Sequence, residues 1–526
     1  MHTRRSIIVI EICLCLLGLG WELPPSRAGE KPNVVIIYTD DQGYGDTTFN
    51  NRDAKFETPN IDRIAREGVA FTDGHCSDTV CTPSRYGLLT GRYAWRTRLK
   101  KGVMGAEGEC LIAPDRLTVA SMLKSCGYRT AMVGKWHLGM DFPGTSYRDR
   151  DWSQPVREMP LDRGFDYYFG VPASLNYGVL AWFEGRTAKV PPTMFTAKKP
   201  NDRHVDYRIM PPYHATPEAA RRELKGAPIE VAPDFVDDQC LTRFTDAAIA
   251  WLQKVTRTGS AREARPAPFM LYVSLTSPHY PVCPRPEFYG KGQAGGYGEF
   301  MVETDYHVGR LLNALEELGV LDDTLVIFTS DNGPENSWKQ RAEQFEHHSN
   351  HIYREGKRSI YEGGHRVPFY MRWPSGIDAP GRKWEGTVCQ TDVLATLAEI
   401  VGFDLPADAG EDSYSLAAVL RPGTSQLDHP PVIHHAANGR FAVRRGPWKL
   451  VMPHGKLPIE LYHLPDDPSE ARNVAEEHPD IVAQLQEAIT KIVLDGRTTQ
   501  GPAQPNDTGY WADLTWIDPA EYPAHR

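Results

Sequence analysis

The chain has no long basic run, no Cys-x-x-Cys pair, no internal repeat and, past its first residues, no long apolar stretch. Each absence excludes something. Lysine and arginine are scattered and outnumbered, 58 against 68 acidic residues, for a net charge of −10. The basic stripe or tail of a nucleic-acid binder is missing. A bilayer-spanning helix needs about 20 apolar residues, so no stable membrane span is expected in the mature chain. Without Cys-x-x-Cys there is no basis for a zinc ribbon or a thioredoxin-type site. Glycine (45) and proline (42) stay well below the roughly 25–30% that marks low complexity. What is there is globular: 526 residues, 41% hydrophobic, 24% charged and 10% aromatic. That is enough for one large α/β domain with a smaller one beside it.

The N-terminus reads as a secretory signal. Arg4 and Arg5 are its positive end, Ser6 to Gly20 its apolar stretch (interrupted by Glu11), and Ser26-Arg27-Ala28 its small-residue cleavage site. The apolar run is too short for a membrane anchor. Cleavage after Ala28 makes an exported protein, periplasmic, extracellular or in the secretory pathway. Cys13 and Cys15 leave with the signal. Cys76, Cys81, Cys110, Cys126, Cys240, Cys283 and Cys389 remain. In an oxidising compartment some could pair, and spacing does not say which.

Asn33 to Asp41 is a continuous apolar run ending in two carboxylates, the pattern of a strand buried on both faces. Three more segments read alike: Tyr128 to His137, Phe269 to Leu275 and Thr324 to Thr329. They lead into Lys135-Trp136-His137, Ser277-Pro278-His279 and Asp331-Asn332-Gly333. Helical patterns lie at Thr58 to Glu67, Leu117 to Lys124, Asp246 to Lys254 and Val302 to Leu318. Alternating strands and helices predict an α/β fold with a large, mostly parallel sheet sandwiched by helices. Ligand sites of such sheets gather outside the carboxyl ends of the strands, so four segments deliver polar residues to one edge. Residues 141–233 read as long loops around that edge. Residues 29–405 form the expected catalytic domain. Residues 406–526 form a smaller C-terminal α+β subdomain with a hairpin at Phe441 to Val451, a strand ending at Leu461 to Leu464, a helix at Glu476 to Asp495 and a tail wrapping the main domain.

Hard oxygen donors at Asp40, Asp41, Asp331 and Asn332 suit Ca²⁺ or Mg²⁺ better than Zn²⁺. The histidines of Glu346-His-His-Ser-Asn-His351 fit no common zinc spacing and read as a loop at the mouth of the site, where His348 could touch a bound ligand. Asn176 and Tyr177 could form a substrate subsite, and Trp182 could stack on a ring or sit in the core. His365, in Glu-Gly-Gly-His-Arg, reads as structural.

Cys81-Thr-Pro-Ser-Arg-Tyr-Gly-Leu-Leu-Thr-Gly91 resembles the signature of the type I, formylglycine-dependent sulfatases. Asp40 to Asp46, Gly134 to Gly139, Gly164 to Gly170, Ser277 to Pro281, Ser330 to Pro334 and Gly356 to Pro368 extend the likeness along most of the mature chain. Together they are similar to the arylsulfatase and N-acetylgalactosamine-6-sulfatase branch of the alkaline phosphatase superfamily. The resemblance implies one Ca²⁺ held by Asp40, Asp41, Asp331, Asn332 and the residue at 81. It also implies oxidation of Cys81 to formylglycine (3-oxoalanine) by a formylglycine-generating enzyme that reads Pro83 and Arg85. The hydrated aldehyde would attack sulfur with one hydroxyl, and loss of the other hydroxyl's proton would expel sulfate. Arg85 and Lys135 would hold the nucleophile and the charge on the metal side. His137 would assist sulfate release, His279 would serve the leaving oxygen and Lys357 would contact the sulfate. The implied substrate is a sulfated saccharide of the galactose or N-acetylgalactosamine 6-sulfate type. Two rivals stay open: a phosphatase or phosphodiester or phosphonate hydrolase of the same superfamily, and a non-catalytic sulfated-glycan binder if Cys81 is unmodified.

Overall fold

A computed structural model describes residues 31–197, 209–224, 228–257, 266–377, 380–421 and 423–522. The signal segment lies outside the described residues, as does part of the 141–233 stretch. Residues 31–526 form one compact unit.

Its centre is a ten-stranded sheet. The labelled strands are β1 (Asn33–Asp40), β2 (Val69–Phe71), β3 (Arg129–Lys135), β4 (Tyr167–Val171), β5 (Phe269–Pro278), β6 (Thr324–Ser330), β7 (Phe369–Arg372) and β8 (Arg382–Trp384). A short hairpin, Phe183–Glu184 and Thr187–Ala188, completes one edge, and the order across the sheet is β8-β2-β7-β6-β1-β5-β3-β4-hairpin. The five central strands, β6 to β4 in that order, are parallel. The expected parallel sheet is therefore its core. At the margins β7 runs antiparallel to β6 and β2, and the hairpin antiparallel to β4, so the whole sheet is mixed. These marginal strands are short, a form that blunts a sheet edge.

Burial explains the sequence pattern. All eight residues of β1 are buried, as are all seven of β6 and all ten of β5. A strand covered on both faces has no solvent side on which to alternate. The covering helices are α1 (Pro59–Arg66), α2 (Cys81–Thr90), α3 (Val119–Ser125), α4 (Cys240–Thr256), α5 (Gly295–Glu317) and α6 (Val393–Val401). Helix α5 packs on α1 and α4, while α2 and α3 pack on α6. Each large helix turns an apolar stripe inward, as Val308, Leu311, Leu312 and Leu315 do on α5.

One glycine sets a register that matters for the site. Gly134 has φ +111, and a Cβ there would lie 1.8 Å from the Ser274 carbonyl oxygen on β5. It immediately precedes Lys135. Gly134→Ala should lower stability by about 3 kcal/mol or more, the sum of backbone strain and overpacking, and thermal melts should show it.

Four antiparallel strands form a second sheet: β9 (Val432–His435), β10 (Phe441–Arg445), β11 (Trp448–Val451) and β12 (Glu460–His463). Helix α7 (Pro479–Leu494) packs on β10 and β11. Its Leu485, Ile489 and Val493 meet Ile433, Phe441, Leu450 and Leu461 in a core that also takes in Tyr93 and Trp95, just beyond α2. The tail joins the first domain's chain through ions and amides. Asp507 pairs with Arg92 at 2.9 Å, and Arg96 donates to the Asn506 side chain at 3.0 Å.

Candidate active site

The carboxyl ends of β1, β3, β5 and β6 meet the start of α2. Asp40 ends β1, Lys135 ends β3, Asp331 and Asn332 follow β6, and His279 follows β5. Cys81 is the first residue of α2, where free N–H groups carry partial positive charge. Two residues just beyond strand ends, Asp41 (φ 65) and His137 (φ 58), are left-handed, a conformation that side chains other than glycine rarely take. Such strain concentrates at functional sites.

The charges interlock. Lys135 Nζ donates to Asp40 Oδ2 at 2.5 Å. Arg85 donates to Asp331 Oδ2 at 2.7 Å and to Ser274 Oγ at 2.5 Å, and its Nη2 stands 3.8 Å from Asp40 Oδ1. Asp331 Oδ1 accepts the Asp41 backbone N–H at 3.1 Å. Asp41 Oδ1 accepts from Asn332 Nδ2 at 2.8 Å and from Lys357 Nζ at 2.5 Å. Lys357 Nζ also lies 3.7 Å from Cys81 Sγ. Ligand-type atoms of Asp40, Asp41, Cys81 and His279 all fall within 4.8 Å of one another.

What this framework leaves is a set of unpaired oxygens. Asp40 Oδ1, Asp41 Oδ2 and Asn332 Oδ1 are buried and accept no hydrogen bond from the described residues. Orphaned buried acceptors are costly. A divalent cation would satisfy all three, and hard oxygen donors suit Ca²⁺ or Mg²⁺. Asp40, Asp41 and Asp331 face Arg85, Lys135 and Lys357, so without a metal the cluster has no surplus positive charge for a sulfate anion. The carboxyl pKa values show the crowding. Burial and Asp40 push Asp331 up, while Asp40 falls to about 2 because Lys135, His279 and Arg85 outweigh its burial.

The two histidines have fixed tautomers because each spends one nitrogen on a carbonyl, which can only accept. His279 Nδ1 donates to the Tyr280 carbonyl at 2.7 Å, leaving Nε2 toward the cluster, 3.7 Å from Asp41 Oδ2. His137 Nε2 donates to the Met104 carbonyl at 3.0 Å, leaving Nδ1 buried with no hydrogen-bond partner among the described residues. Burial, then Lys135 and Arg85, hold the His137 pKa well below the usual range, so this ring is neutral.

The structure thus brings Cys81, Arg85, Lys135, His137, His279, Lys357, Asp40, Asp41, Asp331 and Asn332 together. Tyr177 packs its ring on His137, centroids 5.3 Å apart, beside the buried Asn176. His348 is exposed and stands outside the cluster. Its neighbour His347 is fully buried on Asp46 at 2.7 Å. Trp182 is core, stacked on Phe235 at 4.7 Å. Sequence reasoning missed Ser274, which bridges Arg85 and the Lys135 carbonyl. Its one signal is a small polar residue set between Val273 and Leu275 in the strand. It also missed Glu335, 3.9 Å from Lys357 and doubly bonded to Arg358.

The Sulfatase family matches residues 32–403, and the family described as N-sulphoglucosamine sulphohydrolase, C-terminal, matches residues 350–495. The chain belongs to the sulfatase family. An N-acetylgalactosamine-6-O-sulfatase of Bacteroides thetaiotaomicron is 31% identical, over 88% of this chain and 93% of that protein. Human arylsulfatase A is 31% identical over 93% and 92%. A solved Bacteroides thetaiotaomicron structure from work on glycosaminoglycan metabolism superposes with a TM-score of 0.74 at 31% identity, covering 88% of this chain and 99% of that one. A phosphonate monoester hydrolase of Agrobacterium radiobacter, at 19% identity and TM-score 0.56, shares the fold.

In this sulfatase Cys76, Cys81, Cys110, Cys126, Cys240 and Cys389 are free thiols. A second buried polar group lies behind the site. His75, Glu362, His365 and His434 also bring ligand-type atoms within 4.8 Å. Here the ring nitrogens of His75 and His365 are already used. They bond each other at 2.9 Å, Asp73 at 2.9 Å, the Ile360 carbonyl at 3.1 Å and Lys449 at 3.0 Å. His365 is part of a hydrogen-bonded chain that reaches Lys449 on β11, in keeping with a structural role.

Proposed function

We propose that this sulfatase hydrolyses sulfate monoesters on saccharides, of the galactose or N-acetylgalactosamine 6-sulfate type, after export from the cell. The reading needs Cys81 converted to formylglycine by a formylglycine-generating enzyme, and one Ca²⁺ held by Asp40, Asp41, Asp331, Asn332 and residue 81. The observation that carries it is the meeting of Cys81, Lys357 and His279 with three orphaned acidic or amide oxygens in one buried cluster. The saccharide choice is supported by the Bacteroides N-acetylgalactosamine-6-O-sulfatase as a relative over most of the chain.

A formylglycine would supply a hydrated aldehyde, with one hydroxyl as nucleophile and a second to be deprotonated for sulfate release. The metal would supply positive charge at the sulfuryl oxygens and lower the pKa of the attacking hydroxyl. The chain's own residues do the rest. Lys357 holds its ammonium between Asp41 and residue 81, where the sulfate must sit. Arg85 and Lys135 fix the carboxylates Asp331 and Asp40. His279, anchored through Nδ1, turns Nε2 toward the leaving alcohol oxygen and would hand it a proton from the doubly protonated ring. His137, anchored through Nε2 and neutral, offers the Nδ1 lone pair to take the proton whose loss releases sulfate. Asn176 and Tyr177 would contact the sulfated ring. The exposed His348 would meet only sugar beyond it.

The test is sulfate release from position-defined sulfated mono- and oligosaccharides, with the sulfatase co-produced with a formylglycine-generating enzyme and an aryl phosphate in the panel. Release from a 6-sulfated galactose or N-acetylgalactosamine is expected. Faster hydrolysis of the aryl phosphate than of any sulfate would overturn the reading. Glycan binding without release, from protein whose aldehyde is confirmed by mass, would do the same in favour of a binding role.

A further inference from the structure

The loop ahead of Cys81 is buried throughout residues 77–80. Two of its residues tie three parts of the chain together. Asp78 Oδ1 accepts the Thr79 backbone N–H at 2.7 Å, and its Oδ2 takes the His435 Nδ1 hydrogen at 2.6 Å. The Asp78 carbonyl accepts from Ser84 Oγ on α2 at 2.9 Å. The Thr79 carbonyl accepts the backbone N–H of Arg358, next to Lys357, at 2.9 Å. Thr79 Oγ1 accepts the Ala437 backbone N–H at 3.1 Å. So the nucleophile's helix, the lysine's segment and the end of β9 all converge on Asp78 and Thr79.

His435 is the one side chain of the second sheet that reaches this junction's carboxylate among the described residues. It is 2% exposed, lies edge-on to Phe441 at 4.7 Å, and its Nε2 has no hydrogen-bond partner among the described residues. Only the Nδ1 side has a polar task. Burial pushes the Asp78 carboxyl up, and the His435 hydrogen bond only partly offsets that.

We infer that His435 is a positioning residue for the sulfatase reaction. It holds Asp78, and Asp78 with Thr79 fixes the spacing between residue 81 and Lys357. This rests on the proposed roles of those two residues. A nucleophile displaced by 1 Å loses on the order of 100-fold in rate, so a remote brace can have a large kinetic effect. It also gives the second sheet a task in catalysis, through a residue that touches no substrate.

The experiment compares His435→Asn with His435→Leu, which are nearly equal in size. The asparagine amide can stand where Nδ1 stood, and leucine has no donor. Each protein is assayed with its aldehyde content at position 81 measured by mass. Hydrogen exchange is followed in the 77–86 peptide, a readout that needs no turnover. His435→Leu should lower kcat about tenfold or more with KM within about twofold, and speed exchange in 77–86 but not in 269–278. His435→Asn should stay within about threefold of wild type in kcat and keep its protection. The inference falls if leucine keeps kcat, if asparagine is impaired as much as leucine, or if exchange rises evenly along the chain. If His435→Leu does not fold, His435→Gln takes its place, because its amide lies one carbon beyond the Nδ1 position. If wild type cleaves no sulfate ester, the proposed function fails, and the exchange comparison alone still decides whether His435 holds this loop.

Discussion

Cys81→Ala is expected to leave less than about one ten-thousandth of wild-type turnover, the scale of loss when a covalent nucleophile is deleted. The protein should still fold, because the change removes only a single sulfur from a buried position, and its Tm should stay within about 5 °C of wild type. The same reasoning applies to wild-type chains that keep the thiol. Burial pushes the Cys81 thiol up to about 12 even though Lys135 and Lys357 pull it down. At neutral pH it is uncharged and a weak nucleophile. Turnover should therefore scale with the aldehyde content at position 81, not with total protein. Preparations matured to different extents, assayed and weighed by mass spectrometry, give a straight line through the origin if this is right. Turnover that persists in fully unmodified protein would refute it.

Removal of divalent metal should have the next largest effect. A chelator should cut activity at least 100-fold and lower Tm by several degrees, and Ca²⁺ should restore both. A ligand present at about 1,000 times its Kd adds about 4 kcal/mol to stability. Asp40→Asn should fold but lose the response of Tm to Ca²⁺. Acid should weaken the metal, and the sign follows from the carboxyls. Asp331 is raised, so it takes a proton first as pH falls, while Asp40 near 2 stays charged. Calcium titrations at falling pH should show affinity dropping as Asp331 protonates. A Tm indifferent to both chelator and Ca²⁺ would remove the metal from the mechanism.

The elements that build the site were legible because burial on both faces leaves a plain signature. The run Asn33 to Asp41 became a strand over Asn33–Asp40, and Thr324 to Thr329 became Thr324–Ser330. Their polar ends fall at the sheet edge because chain direction is shared across the parallel core. The elements that escaped notice lack that signature. Tyr167–Val171 and Phe369–Arg372 are only five and four residues long and sit outside the central apolar runs. Helix α5 begins at Gly295, seven residues before its apolar stripe could be read, because Gly-Gly-Tyr-Gly disguises its first turn. The reading of the site stopped short for a different reason. Glu335, Asp78 and His435 act across sequence gaps of 23 to 357 residues, as between Glu335 and Arg358 or Asp78 and His435, and nothing local marks a long-range partner.

The complete burial of Cys81 bears on when it can be reached. Residue 81 is 2% exposed in the folded protein, so an enzyme that oxidises it must act on chain that has not yet closed. The site around it cannot close early. Strand β1 lies between β5 and β6, and its pairing with β6 needs residues up to Ser330. At roughly 5–20 residues per second, synthesis takes on the order of 10 to 50 s to run from residue 81 to that strand. The interleaved strand order would then work as a clock: it keeps β1 without its partner β6 for tens of seconds, long enough for a formylglycine-generating enzyme to bind and react at residue 81.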